Sequence, residues 1–273
     1  MATTAFKNNY RNIRIVVLCF VGYILLNWFS PFLMLLNYDF VRLFITFITS
    51  VIVMIPIVIG YKLLDDKGNY LQVFGVEGNI KEGLIAGGVL FLAAWIFSIF
   101  SLDFLRNLVY VKWLLYIFIE VFVIDLCVQA FFFRKITTYT GWSFFRIILF
   151  YVAIYSAVAL VTAFVSLLFN SEILSKIGDD LKLLNMIPMD LLLKGILSLL
   201  RFILTASFLY WLYVEWNFNL WVVVFAHLVL NLANGLTFLK IPIFILLIVT
   251  GVIGTILYKR EKGLPLAIKR FWS

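Results

Sequence analysis

The chain holds a single histidine, His227, and two cysteines, Cys19 and Cys127, in 273 residues. Both cysteines fall inside apolar runs, with no CxxC or comparable spacing, so neither a disulfide framework nor a cysteine-rich metal site is expected. One imidazole also excludes any site that needs two histidines. Charge is scarce as well. Only 13% of residues are Asp, Glu, Lys or Arg, against about 25% in soluble domains. No internal repeat, low-complexity tract or soluble domain stands out. The net charge of +8 does not point to nucleic acid, because the basic residues gather at the ends of apolar runs.

Apolar surface fills the space these absences leave. Hydrophobic residues make up 64% of the chain, with 29 Phe and 8 Trp, and the mean hydropathy is +1.09. This composition implies an all-α integral membrane protein whose immediate partner is the lipid bilayer. A helix crosses the hydrocarbon core with about 20 mostly apolar residues. Eight runs qualify, at about 13–35, 40–61, 82–101, 109–133, 143–169, 190–213, 218–238 and 241–258. Polar punctuation separates them at "LLDDKGNY" (63–70), "RKITTYTGW" (134–142) and 170–188, the last long enough for a short surface helix. Only "KIP" (240–242) parts the final two. The expected architecture is one polytopic bundle, residues 1–273. The basic N-terminus before the first run resembles a signal peptide. The run continues through Asn27 and Pro31 without a small-residue cleavage site, so it reads as a retained span.

With eight spans both termini share a side. Fourteen Lys and Arg fall on that side and seven on the other, Arg201 lying within a span. The imbalance places both termini in the cytoplasm of a multi-pass cell-membrane protein.

Ionisable residues inside spans are costly and tend to face a bundle interior. Glu120, Asp125, Arg201 and His227 are such residues, with Gln129, Asn231 and Asn234 as neutral polar companions. Asp125 and Gln129 share a helix face by their spacing of four, and Glu120 points elsewhere. His227, Asn231 and Asn234 form one stripe. That stripe either orients an imidazole for a metal or joins helices through hydrogen bonds. Arg201 needs a carboxylate at depth, and Asp125 and Glu120 are the acids available.

The order of these features resembles the CPBP family, the intramembrane metalloproteases similar to the type II CAAX prenyl protease, with the bacteriocin-processing and immunity proteins and the lysostaphin-resistance-A-like proteins. The resemblance covers about residues 110–240. In "QAFFFR", Gln129 and Ala130 stand where the family has paired glutamates, and Arg134 matches its arginine. "TGW" leads into the next span as in the family. "FYVAI" keeps Phe150 and has Ile154 in place of the histidine. "HLVLN" keeps His227 and Asn231. The resemblance implies an intramembrane endopeptidase fold with Gln129, Arg134, His227 and Asn231 at catalytic positions, and zinc or cobalt on His227 and Asn231 if the site is live. With both glutamates and the second histidine missing, it implies instead a degenerate member, without cofactor, that binds or scaffolds another membrane or cell-envelope protein or confers immunity. Two alternatives remain: an active metalloprotease with an altered site, and a small transporter using Glu120, Asp125 and Arg201.

Overall fold

The computed structural model describes residues 2–29, 39–64, 76, 78–99, 114–169, 189–235 and 240–267. Within them the chain is helical, with no strand. Eight rods follow one another: α1 (Ala2–Phe29), α2 (Asp39–Leu63), α3 (Ile80–Ile99), a composite rod, α6 (Phe144–Phe169), α7 (Met189–Glu215), α8 (Leu220–Gly235) and α9 (Lys240–Glu261). The composite rod is α4 (Leu114–Asp125), a π-helical stretch (Leu126–Phe133) and α5 (Arg134–Thr140). Among the described residues, three segments are long and apolar enough to cross a membrane: Asn9–Asn27, Phe144–Thr162 and Leu197–Glu215. The surface helix expected in 170–188 and the end of the first run, 30–35, lie outside the described residues.

Two expected breaks are helical instead. "KIP" is the first turn of α9, where Pro242 forfeits no intrahelical hydrogen bond. "RKITTYT" continues the fourth rod as α5. Its threonines stay helical by turning their hydroxyls back onto carbonyls four residues earlier: Thr137 to Phe133 at 2.6 Å, Thr138 to Arg134 at 2.8 Å and Thr140 to Ile136 at 2.7 Å. The rod ends at Gly141, whose φ of 62° suits a residue without a Cβ.

The π-helical stretch is the axis of the bundle. It touches α1, α2, α7 and α8, and all eight of its residues are buried. A helix enclosed on every side carries no polar stripe, which is why "LCVQAFFF" shows no helical period. The wider winding is visible where the Arg134 N–H donates to the Gln129 carbonyl, five residues back. The Tyr61 hydroxyl on α2 donates to the Ala130 carbonyl at 3.3 Å. Aromatic rings fill the surroundings. Phe132 stacks on Phe20 at 4.2 Å between centroids, and Phe133 stacks on Tyr210 at 4.3 Å.

α8 is held against α3 through two glycines. A Cβ on Gly83 would stand 2.8 Å from the backbone of Trp221, and one on Gly87 would stand 2.7 Å from the Cβ of Phe225. Small residues four apart let two helices approach this closely. The N-terminal ends of the same two helices are tied by Asn219, whose amide donates to the Asn79 carbonyl and to the Glu82 carboxylate, both at 3.1 Å. Near that end Arg134 lies over the Phe218 ring at 5.1 Å. At the junction of α7 and α9, Lys259 donates to Glu215 at 2.6 Å, a pair in which Glu215 is fully buried. The Ala267 N–H donates to the same carboxylate at 2.9 Å, which holds the chain beyond α9 in place.

The outer faces are apolar. On α2, Phe47, Val51, Ile55, Val58 and Ile59 are exposed along one side, and no ionisable residue lies between Phe47 and Gly60.

Candidate functional site

Beside the π-helical stretch lies a cavity of about 190 Å³, walled by α1, the α4–π junction, α6, α7 and α8. Each wall follows from local sequence. Asp125 closes α4, and Gln129 lies four residues on in the π stretch, so both carry side chains to the cavity. Tyr151 and Tyr155, one turn apart, present α6. Phe202 of α7 packs against both, at 5.4 Å and 4.6 Å between centroids. His227 comes from α8, at a height set by the glycine seam with α3.

The central contact joins His227 Nδ1 and Asp125 Oδ1 at 2.9 Å. With a carboxylate on Nδ1, that nitrogen carries the proton and Nε2 is the free position of a neutral imidazole. Asp125 is 1% exposed and His227 retains 12%, so both line the cavity with little surface left to solvent. Among the described residues, Asp125 Oδ2 and Gln129 Oε1 are buried without a hydrogen-bond partner. Unpaired buried acceptors are rare in folded proteins because each forfeits hydration.

The sequence-derived candidates divide clearly. Asp125, Gln129 and His227 line one cavity. Asn231 is half-buried on α8 and engaged in an interaction of its own. Asn234 belongs to α8, but its side chain lies outside those described. Arg134 is at the end of the bundle, over Phe218. Ile154 does not line the cavity, which takes Tyr151 and Tyr155 from α6 instead. The register suggested by "FYVAI" is thus rotated away by one residue, about 100° of helix. Arg201 corrects a second expectation. Its guanidinium lies over the Phe244 ring at 5.2 Å, and of the two acids offered for it, Asp125 and Glu120, Asp125 pairs with His227. Glu120 is exposed, away from the cavity lining. The aromatic wall of Tyr151, Tyr155 and Phe202 was not anticipated; its signal in the sequence is the four-residue spacing of the tyrosines.

The donor set does not fit a hydrolytic metal. Such an ion needs about three protein ligands besides water. The cavity offers one imidazole, one carboxylate already bound to that imidazole, the neutral amides of Gln129 and Asn27, and tyrosine and threonine hydroxyls. Among the described residues no group of three His, Cys, Asp or Glu side chains is placed to hold a metal.

Fold and site together define an all-helical protein with membrane-length apolar helices around a small acidic and aromatic cavity. No family model matches the chain, and neither the curated proteins nor the solved structures contain a match.

Proposed function

We propose that the protein is a multi-pass membrane protein of eight spans, with both termini in the cytoplasm, which uses its central cavity to bind rather than to hydrolyse. The exposed apolar faces of α2 and α3 support the membrane assignment, since soluble monomers rarely expose contiguous apolar patches beyond a few hundred Å². Arg134, Lys259 and the Asn219–Glu82 contact fall at the helix ends that the charge bias assigns to the cytoplasm.

The binding reading rests on one observation. Asp125, Gln129 and His227 converge on a cavity, yet the positions that would complete a metal shell are amide or apolar. The retained Arg134, the Gly-Trp turn and HxxxN fit a degenerate relative of the CPBP bundle. Its role would be to hold another membrane or cell-envelope protein, or to confer immunity. The test is metal content and proteolysis of the purified full-length protein. Stoichiometric zinc or cobalt that is lost in His227→Ala, or chelator-sensitive cleavage of a membrane-anchored peptide, sinks this reading.

That result would favour the second reading, an active metalloprotease with an altered site. One feature speaks for it: a carboxylate on the far nitrogen is how metal-ligating imidazoles are usually oriented. The transporter reading has less support, because of Glu120, Asp125 and Arg201 only Asp125 lines the cavity.

A further inference from the structure

The cavity holds two buried acceptors that its own donors leave unanswered, although Tyr23, Asn27, Tyr151, Tyr155 and Thr205 also line it. Asp125 Oδ2 and Gln129 Oε1 are unpartnered among the described residues, both on side chains at least nine-tenths buried. In the tautomer set by Asp125, His227 Nε2 is a third acceptor. Among the described residues, no lysine or arginine lines the cavity. From α6 and α7 the lining includes three packed aromatic rings, Phe202 lying against Tyr151 and Tyr155. A ligand suited to this surface carries several N–H donors, positive charge and little bulk. Aromatic faces attract such a cation, and a carboxylate forms charge-assisted hydrogen bonds with it. A neutral alcohol would satisfy one acceptor and leave the carboxylate without a counter-charge. A guanidinium has the donors, but its planar fork suits a bidentate carboxylate, and Asp125 has one oxygen already committed to His227.

We propose that this cavity is a receptor for a primary ammonium group, held by Asp125 Oδ2, Gln129 Oε1 and His227 Nε2 against the Tyr151–Phe202–Tyr155 wall. The inference deepens the binding reading given above and rests on it. Two sources share this chemistry, the aminoethyl headgroup of a membrane lipid and a free alkylamine.

The experiment uses the full-length protein in nanodiscs of phosphatidylcholine and phosphatidylglycerol, titrated calorimetrically with n-butylammonium, tetramethylammonium and n-butanol. Saturable binding of n-butylammonium is expected. Tetramethylammonium, which has charge but no N–H donor, should bind about tenfold more weakly, the worth of one charge-assisted hydrogen bond. Asp125→Asn and Gln129→Leu should each weaken n-butylammonium by about tenfold. Gln129→Leu leaves the His227–Asp125 bond intact, so it reports on binding even where Asp125→Asn fails to fold. Replacing phosphatidylcholine with phosphatidylethanolamine separates the sources. Loss of n-butylammonium binding assigns the site to the lipid headgroup, and unchanged binding assigns it to a free amine. Equal binding of n-butanol, no binding of n-butylammonium in the first nanodiscs, or wild-type affinity in Gln129→Leu overturns the proposal. Any of these results in a metal-free, non-proteolytic protein leaves the broader binding reading standing.

Discussion

His227 Nδ1 and Asp125 Oδ1 stand 2.9 Å apart across 102 residues of sequence. Their contact fixes α8 to the α4–π junction at the height of the cavity. It is the only route by which the buried Asp125 carboxylate is paired among the described residues, since Oδ2 has no partner there.

The strength of this link is measurable. Hydrogen bonds between membrane helices average about 0.6 kcal/mol and reach about 1.7 kcal/mol in double-mutant cycles. A sealed carboxylate belongs at the upper end, so Asp125→Ala and His227→Ala should couple by about 1–2 kcal/mol. Unfolding of the four proteins of the cycle in mixed micelles gives the value. Additive effects would show that the two side chains meet without stabilising each other.

The glycine seam makes a sharper prediction, because it contains its own control. In a helix interior Gly→Ala alone gains about 1 kcal/mol from propensity. At Gly83 the new methyl would meet Trp221 backbone at 2.8 Å, and a backbone neighbour cannot swing aside as a side chain can. Gly83→Ala should therefore lower stability by about 1–3 kcal/mol. A Cβ added at Gly88 would meet nothing within 4 Å, so Gly88→Ala should be neutral or stabilising. Thermal unfolding in detergent distinguishes them, and equal shifts would mean that α3 and α8 are not packed through Gly83.

These tests bear on what could be read in the sequence. The helical rods were legible because length and apolarity alone define them. The π-helical stretch was not, since burial on all sides erases the period that would have revealed it. Spacing placed Asp125 and Gln129 on one face, but spacing within a helix says nothing about which residue waits on another. Charge alone offered Arg201 to Asp125 or Glu120; the fold gave Asp125 to His227 and set Arg201 over the Phe244 ring. "FYVAI" was matched on Phe150, whereas the cavity uses the tyrosine on its other side. Gly83 and Gly87 have the small-xxx-small spacing, but nothing in one helix indicates that a partner approaches it.

Lys259 and Glu215 test whether the chain after α9 is held by charge. Removing one member of a buried pair leaves the other uncompensated, at a cost of about 3–5 kcal/mol. Lys259→Met should show that loss, and Lys259→Met/Glu215→Gln should recover most of it. Glu215 also accepts from the Ala267 N–H, a bond that glutamine can still make through its carbonyl oxygen. Limited proteolysis near residue 267 should accelerate in the single variant and return to normal in the double. Unchanged proteolysis in Lys259→Met would show that the segment is fixed by other contacts.

The last prediction concerns orientation. Asn79, Asn219 and Glu82 meet through hydrogen bonds, and Arg134 lies over Phe218 only one residue before Asn219. Those contacts place the start of α3, the end of the π stretch and the α7–α8 turn at the same end of the bundle, whatever surrounds it. The orientation proposed above, from the excess of basic residues, puts that end in the cytoplasm. Single cysteines at Thr138, Asn217 and Lys262, in a background with Cys19 and Cys127 replaced by alanine, should therefore behave alike. A membrane-impermeant maleimide added to intact cells should leave all three unlabelled, and permeabilisation should expose all three. Labelling of all three in intact cells would invert the assignment while preserving the fold. Labelling of only some would contradict the packing itself, because Arg134 over Phe218 and the Lys259–Glu215 pair hold all three segments at that end.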